Sequence, residues 1–332
     1  MPRGAAVSRA NTGQPSLLVP PLAWGDLKVV HRFRAMNTTV ELNAMDPAAA
    51  PHMAAVERSF HEIEARFSRF RETGELSRFN ARTEGRIAVS PDMAELLALA
   101  QRFHATTGGV FEPAVLPQLE AAGYDRSFEQ VERESAAALD PRPTQRRWSI
   151  ADVRIDATGS VEAPAGLRID LGGIGKGFAV DRAARMLAPV RNALVNAGGD
   201  MAAIGHGSDG DGWLASVDDP HEPGRPLSLV RLHGEAIATS SRAARWWRRG
   251  DTVLHHIIDP RTGAPAQNDI VSVSVVAPAA VQADVFAKGA LILGRERGIE
   301  FLEKQGVSGM FVFADRSSAA TARWPGQAPG GM

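Results

Sequence analysis

From Val29 to Ala44 apolar and polar positions alternate, with Met36, Thr38, Val40 and Leu42 set between more polar neighbours. That period of two predicts a strand with one buried face. Beyond Pro51 the period lengthens: Met53, Val56, Phe60, Ile63 and Phe67 recur at three and four residues, an apolar stripe along a helix that packs on the sheet. Gly74 breaks this helix and a short second one follows. A third has Ser90 as N-cap and Pro91 at its first position, carries Met93, Leu96, Leu97 and Ala100 to about His104, and ends at Gly108 and Gly109. Another opens at the glycine turn in RIDLGGIGKGFAVD, Arg168 to Asp181, and runs to about Leu187. Strands then dominate, at Ala193 to Ala197, Trp213 to Val217, Ser228 to Leu232, Glu235 to Ser240 and Ile270 to Val276. Helices from about Ala279 to Leu293 and Glu296 to Gln305 lead to a closing strand at Met310 to Phe313. The pattern is that of an α+β chain with mixed, mainly antiparallel sheets and packed helices, expected as two lobes around a ligand cleft.

Proline and charge mark the boundaries. Residues 1–28 contain Pro15, Pro20 and Pro21 without a period and are expected to form a flexible arm. Residues 127 to 150 are charged, carry Pro141 and Pro143, and read as a surface insertion or lobe junction. The stretch 317–332, rich in Ala, Ser, Pro and Gly, is expected to be disordered, which leaves 29–316 as the folded domain. The 332-residue chain has a formal net charge of −1, which offers no bulk attraction to nucleic acid or an anionic membrane. It has no cysteine, so disulfides, thiolate metal sites, a cysteine nucleophile and a lipid-modified cysteine are excluded from this sequence. No stretch approaches the roughly 20 apolar residues of a membrane span, and the first thirty lack a signal-peptide apolar core; a cytoplasmic protein is expected.

Candidate chemistry gathers at a few points. In Arg168 to Asp181 a β run, a glycine turn and Lys176 at a helix start aim N–H groups and an ammonium at one place, an anion seat. A Walker A loop is excluded, because Asp170 and Gly177 stand where it needs Gly and Ser or Thr. Nor do Gly172, Gly173, Gly175 and Gly177 have dinucleotide-fingerprint spacing. The same segment also reads as a plain strand-to-helix turn. In HHIIDPRTG, strand alternation sends His255 and His256 to opposite faces and favours His256 for a shared site, while Asp259 reads equally as the cap of a proline turn. Asp200, after two glycines, fits a ligand acceptor or a turn cap; Thr239, Ser240 and Ser241 supply hydroxyls at a strand end; Phe111 fits a ligand-facing aromatic or the core. Asp284 sits in an apolar helix with Lys288 one turn later, which suits a surface ion pair or a partly buried acid open to a cation.

Taken together and in order, FSRFRETGELSRFN, TGGVFEPAVLP, DLGGIGKGFAVD, VNAGGD, ATSS, HHIIDPRTGAP and ADVFAKGA resemble the signature blocks of the FAD:protein FMN transferases, the ApbE-type flavin transferases, over about residues 35 to 313. The resemblance implies an enzyme that binds FAD with Mg²⁺ and transfers its FMN half to a Thr or Ser of an acceptor flavoprotein, releasing AMP. Related activities are FAD pyrophosphatase chemistry, giving FMN and AMP, and FAD binding without catalysis. On this resemblance Lys176 holds the diphosphate, Asp284 and the Gly173 carbonyl are metal ligands, and His256 and Asp259 belong to a block able to deprotonate the incoming hydroxyl. Met36, Phe111, Asp200, Ser240, Thr262 and Gly263 match positions that line the FAD pocket. The chain departs from the pattern at Lys288, where the family block has Thr.

Overall fold

The computed structural model describes residues 29–131, 134–135, 147–156, 159–207 and 210–327. The expected arm, most of the charged segment after residue 131 and the last five residues of the tail lie outside them.

Eight strands form the main sheet: β1 (Val29–Ala35), β2 (Thr38–Ala44), β3 (Ala193–Ala197), β4 (Asp200–Ile204), β5 (Ala236–Ser241), β6 (Ile270–Ala277), β7 (Ser308–Phe313) and β8 (Ser318–Ala320). They lie side by side in chain order, and every neighbouring pair is antiparallel. Between β2 and β3 the chain makes a long excursion that starts and ends at one point, where the Met45 N–H donates to the Asn192 carbonyl at 3.2 Å.

Two expectations need correction. The single strand Val29 to Ala44 is a hairpin, with Met36 at φ 52° and Asn37 at φ 59° and Ala35 paired with Thr38. A two-residue turn with both φ positive suits the twist of the strands. It also preserves the period of two, so alternation cannot reveal the break. The tail from Ser317 is not disordered where it is described: β8 pairs with β7, and Gln327 exchanges two 2.9 Å backbone hydrogen bonds with Leu229. Its small residues suit an open sheet edge, which composition does not register.

Seven α-helices lie among the described residues: α1 (Ala50–Phe67), α2 (Glu75–Ala81), α3 (Pro91–Thr106), α4 (Leu116–Ala121), α5 (Gly175–Leu187), α6 (Ala280–Leu293) and α7 (Arg295–Lys304). Alternation in the central strands serves two cores. Val195, Ala238, Val273, Val275 and Phe311 face the layer of α1, α5 and α6. Leu194, Met201, Ile237 and Met310 face a hairpin of strands Trp213–Asp218 and Pro226–Leu232 and pack on Trp213, Val217 and Val230. The sheet is covered on both sides, so its strands read as nearly continuous apolar runs.

Helix α6 is apolar almost all round because it is the central element of that helical layer, and Asp284 is its one buried acid. It touches α5 at Gly177, where a Cβ would lie 2.5 Å from Val281 Cα and 2.8 Å from the Ala280 carbonyl oxygen. Its N-cap, Ala279, has no capping side chain. Asp181 of α5 takes that role, accepting the Ala280 N–H at 2.6 Å on Oδ1 and the Val281 N–H at 3.0 Å on Oδ2. Burial pushes the Asp181 carboxyl up from its ordinary value, while those two N–H groups act the other way. The contact and the cap fix α6 against α5, and each helix contributes to the cavity described next.

Candidate functional site

A cavity of about 950 Å³ opens where the Asp170–Lys176 turn, the end of β5 and the middle of α6 converge. Its floor is built locally. Arg69 Nε pairs with Asp170 Oδ2 at 2.6 Å, and Asp170 Oδ1 accepts the Gly172 N–H at 2.6 Å. The Leu171 carbonyl accepts the N–H groups of Ile174 and Gly175 at 3.1 and 2.8 Å, starting α5 and presenting Lys176 to the cavity.

The Lys176 ammonium is paired directly with Asp200, whose side chain is 2 % exposed. Asp200 reaches it because Gly198 and Gly199, at φ 64° and 101°, turn the chain sharply between β3 and β4. Burial pushes the Asp200 carboxyl up to about 6; Asp284 adds to the shift, and the charges of Lys176 and Lys288 oppose it. For Lys176 burial works against the charge, but Asp200 and Asp284 outweigh it and hold the ammonium above its ordinary value. Each charge of the pair favours the ionised form of the other.

Met36, Phe111, Gly173, Ser240, His256 and Asp284 line the same cavity as Lys176, so most residues singled out in the sequence meet in one place. Asp200 stands behind Lys176. Asp259, Thr262 and Gly263 do not line it, contrary to expectation. Asp259 forms a two-pronged ion pair with Arg261, at 2.9 and 2.7 Å, and accepts the Arg261 N–H. Its carbonyl accepts from the backbone of Thr262 and Gly263. All three residues build the proline turn that reverses the chain, and the Asp259 carboxylate is taken up by Arg261 there.

The two histidines separate as alternation requires. His256 Nδ1 lies 3.4 Å from the Arg245 carbonyl, which as acceptor leaves Nε2 free to accept a proton. Burial, reinforced by the charges of Arg245, the neighbouring His255 and Lys288, holds His256 well below the ordinary histidine value, so the ring is neutral. His255 lines a separate cavity of about 650 Å³, accepts the Ile257 N–H on Nδ1 at 3.3 Å and donates from Nε2 to Ala266 O at 3.0 Å.

Burial, with the Arg242 charge adding, lowers the His255 value to about 4 against the ordinary 6.5, although the bond to Ala266 opposes the shift. Between those values the unfolded chain binds a proton that the folded chain refuses. Stability from this group is complete above pH 6.5 and is lost as pH falls towards 4, to a total of about 3 kcal/mol. Urea unfolding at pH 7.5 and 4.5 should show a smaller acid loss for His255→Gln than for the parent. Equal losses would assign the acid sensitivity elsewhere.

Gly173 and Asp284 test the fit of a divalent cation. The Lys288 ammonium donates to the Gly173 carbonyl at 2.8 Å and to Asp284 Oδ1 at 3.0 Å, occupying the space between the two oxygens. Asp284 Oδ2 is buried without a hydrogen-bond partner. Among the described residues no group of three or more His, Asp or Glu is placed to hold a metal. Magnesium is octahedral at about 2.0–2.1 Å and takes waters and substrate phosphates beside one or two protein oxygens, but here both protein oxygens that would face it are bridged by the Lys288 ammonium. The donor set does not fit magnesium.

Two cavity residues escaped the sequence reading. Arg69, anchored to Asp170 and stacked 4.6 Å from the Tyr124 ring centroid, and Arg245, whose carbonyl orients His256, both line the site. The arginine run after Ser241 was the available signal for Arg245; nothing marks Arg69 among its neighbouring arginines.

Residues 36–311 match the ApbE family. The FAD:protein FMN transferase of Treponema pallidum is 32% identical over 311 residues, covering 85% of this chain and 83% of its own. A solved flavin transferase ApbE from Vibrio cholerae superposes with a TM-score of 0.75 at 26% identity, over 89% of this chain and 97% of its own. The ApbE protein of Thermotoga maritima superposes at 0.78 with 25% identity and the same coverages.

Proposed function

The chain belongs to the ApbE family, and from that premise we propose that it is an FAD:protein FMN transferase acting on a threonine or serine of an acceptor flavoprotein. The observation that supports this most is the meeting of Lys176, Asp284 and His256 in one cavity also lined by Arg245 and Lys288, with Asp200 behind Lys176, which sets ammonium and guanidinium donors within reach of a diphosphate. The acceptor hydroxyl oxygen forms a bond to the flavin-side phosphorus. The bond from that phosphorus to the bridging oxygen breaks, and AMP leaves with the bridging oxygen and the electron pair. Positioning and charge neutralisation supply most of such catalysis.

Each residue has a task in this reading. Lys176 takes up charge on the diphosphate, and Asp200 holds it extended into the cavity. His256 accepts the hydroxyl proton at Nε2, its ring held neutral by burial and the neighbouring charges. Met36 and Phe111 offer apolar surface to the flavin, and Ser240 a hydroxyl. The magnesium implied by the sequence resemblance finds no donor set, and no step is routed through it. No helix among the described residues is long and apolar enough to cross a membrane.

Incubating the chain with FAD and a candidate flavoprotein, followed by intact-mass analysis and nucleotide chromatography, tests the reading. FMN added to the acceptor with an equal amount of AMP is the expected result. FMN and AMP in solution without a labelled acceptor would make it a pyrophosphatase, and FAD bound but intact under all conditions would make it a binding protein.

A further inference from the structure

We infer that Lys288 is the built-in cation of this site, replacing a divalent metal, so that the chain cleaves FAD without one. The inference rests on the transferase reading. Its first support is placement: Lys288 follows Asp284 by one helical turn on the buried helix α6, and its ammonium bridges Asp284 Oδ1 and the Gly173 carbonyl on the opposite wall. A Cβ on Gly173 would lie 3.5 Å from both Cε and Nζ of Lys288, so the side chain lies directly over the glycine turn.

Its second support is charge. Lys288 and Asp284 are 17 % and 7 % exposed, and beside them stand Lys176 and Asp200 at 19 % and 2 %. Lys288 adds one positive charge at the place a dication would take, next to the one carried by Lys176, and each is steadied by its own carboxylate. Both are N–H donors that suit phosphate oxygens. Two donors of Lys288 are committed; no third partner is found among the described residues, and the side chain lines the cavity.

The third support is exclusion. A dication bound to the Gly173 carbonyl and Asp284 would have to enter space held by the Lys288 ammonium, leaving a buried like charge beside it. As FMN passes to the acceptor oxygen and AMP departs with the bridging oxygen, the charge growing on that oxygen meets Lys288 and Lys176. The transfer needs no further co-reactant.

Manganese(II), read by electron paramagnetic resonance, is the probe. The parent chain should leave the free manganese signal unchanged to millimolar concentration, and Lys288→Thr should bind one manganese per chain at least tenfold more tightly. Excess EDTA should change the parent's release of AMP from FAD by less than twofold. Stoichiometric manganese binding by the parent, or AMP release abolished by EDTA and restored by magnesium, would overturn the inference. So would a Lys288→Thr chain with native circular dichroism and no gain in manganese affinity. If that variant does not fold, manganese titration and EDTA treatment of the parent decide alone. If the parent releases no AMP under any condition, the transferase reading fails, while its manganese titration still decides whether Lys288 excludes a dication.

Discussion

Replacing Lys176 by methionine is expected to lower FAD turnover about 100- to 1,000-fold, the usual scale for removing one charge-stabilising donor from a reaction centre. The same change leaves Asp200 buried without its partner. Breaking a buried ion pair from one side costs about 3 kcal/mol or more, and Asp200, already pushed up to about 6, will take a proton to relieve it. The two losses separate in the double variant Lys176→Met with Asp200→Asn. A neutral amide no longer needs an ammonium, so most of the stability should return while turnover stays low. Urea unfolding and AMP release read the two quantities. Wild-type turnover in the single variant would show that the lysine serves only to neutralise Asp200.

Gly177→Ala is expected to act through space rather than charge. The atoms that its Cβ would meet are backbone atoms of α6, at 2.5 and 2.8 Å, and cannot rotate aside. The helices must part, at a cost of about 1–3 kcal/mol typical of overpacking. Because α5 carries Lys176 and α6 carries Asp284 and Lys288, parting them also widens the reaction centre. A displacement of about 1 Å there can cost on the order of 100-fold in rate. Thermal unfolding together with AMP release tests both effects. A destabilised variant that turned over FAD at the parent rate would show that the site tolerates changes in helix spacing.

The elements were largely legible in the sequence because periodicity reports which face of a strand or helix is buried. That information separated His255 from His256, and capping preference placed Ser90 and Pro91 at the start of α3. Periodicity could not reveal the Met36–Asn37 turn, since a two-residue hairpin keeps the period of two. Nor could it say which side of the site a turn residue occupies: Asp259, four residues past His255, lies outside the cavity holding its ion pair with Arg261. Contacts between distant segments were beyond it altogether. Asp181 caps a helix 99 residues away, and Asp200 meets Lys176 only because the sheet carries β4 beneath α5. Local patterns name candidate groups; the partners that set their charge come from the tertiary fold.

The hydrogen bond between Met45 and Asn192, at the base of the excursion from β2 to β3, closes that whole stretch at its root. The excursion contains α1 to α5 and the turn with Lys176, yet the sheet receives it as though it were a hairpin loop. Closing a longer loop costs only slowly more entropy, about 0.6 kcal/mol for each doubling of length. The sheet therefore takes the register of β2 and β3 from that closed root, while α1 and α5 of the excursion pack back on the sheet as its core; length can change in the connections between those helices at little cost in register.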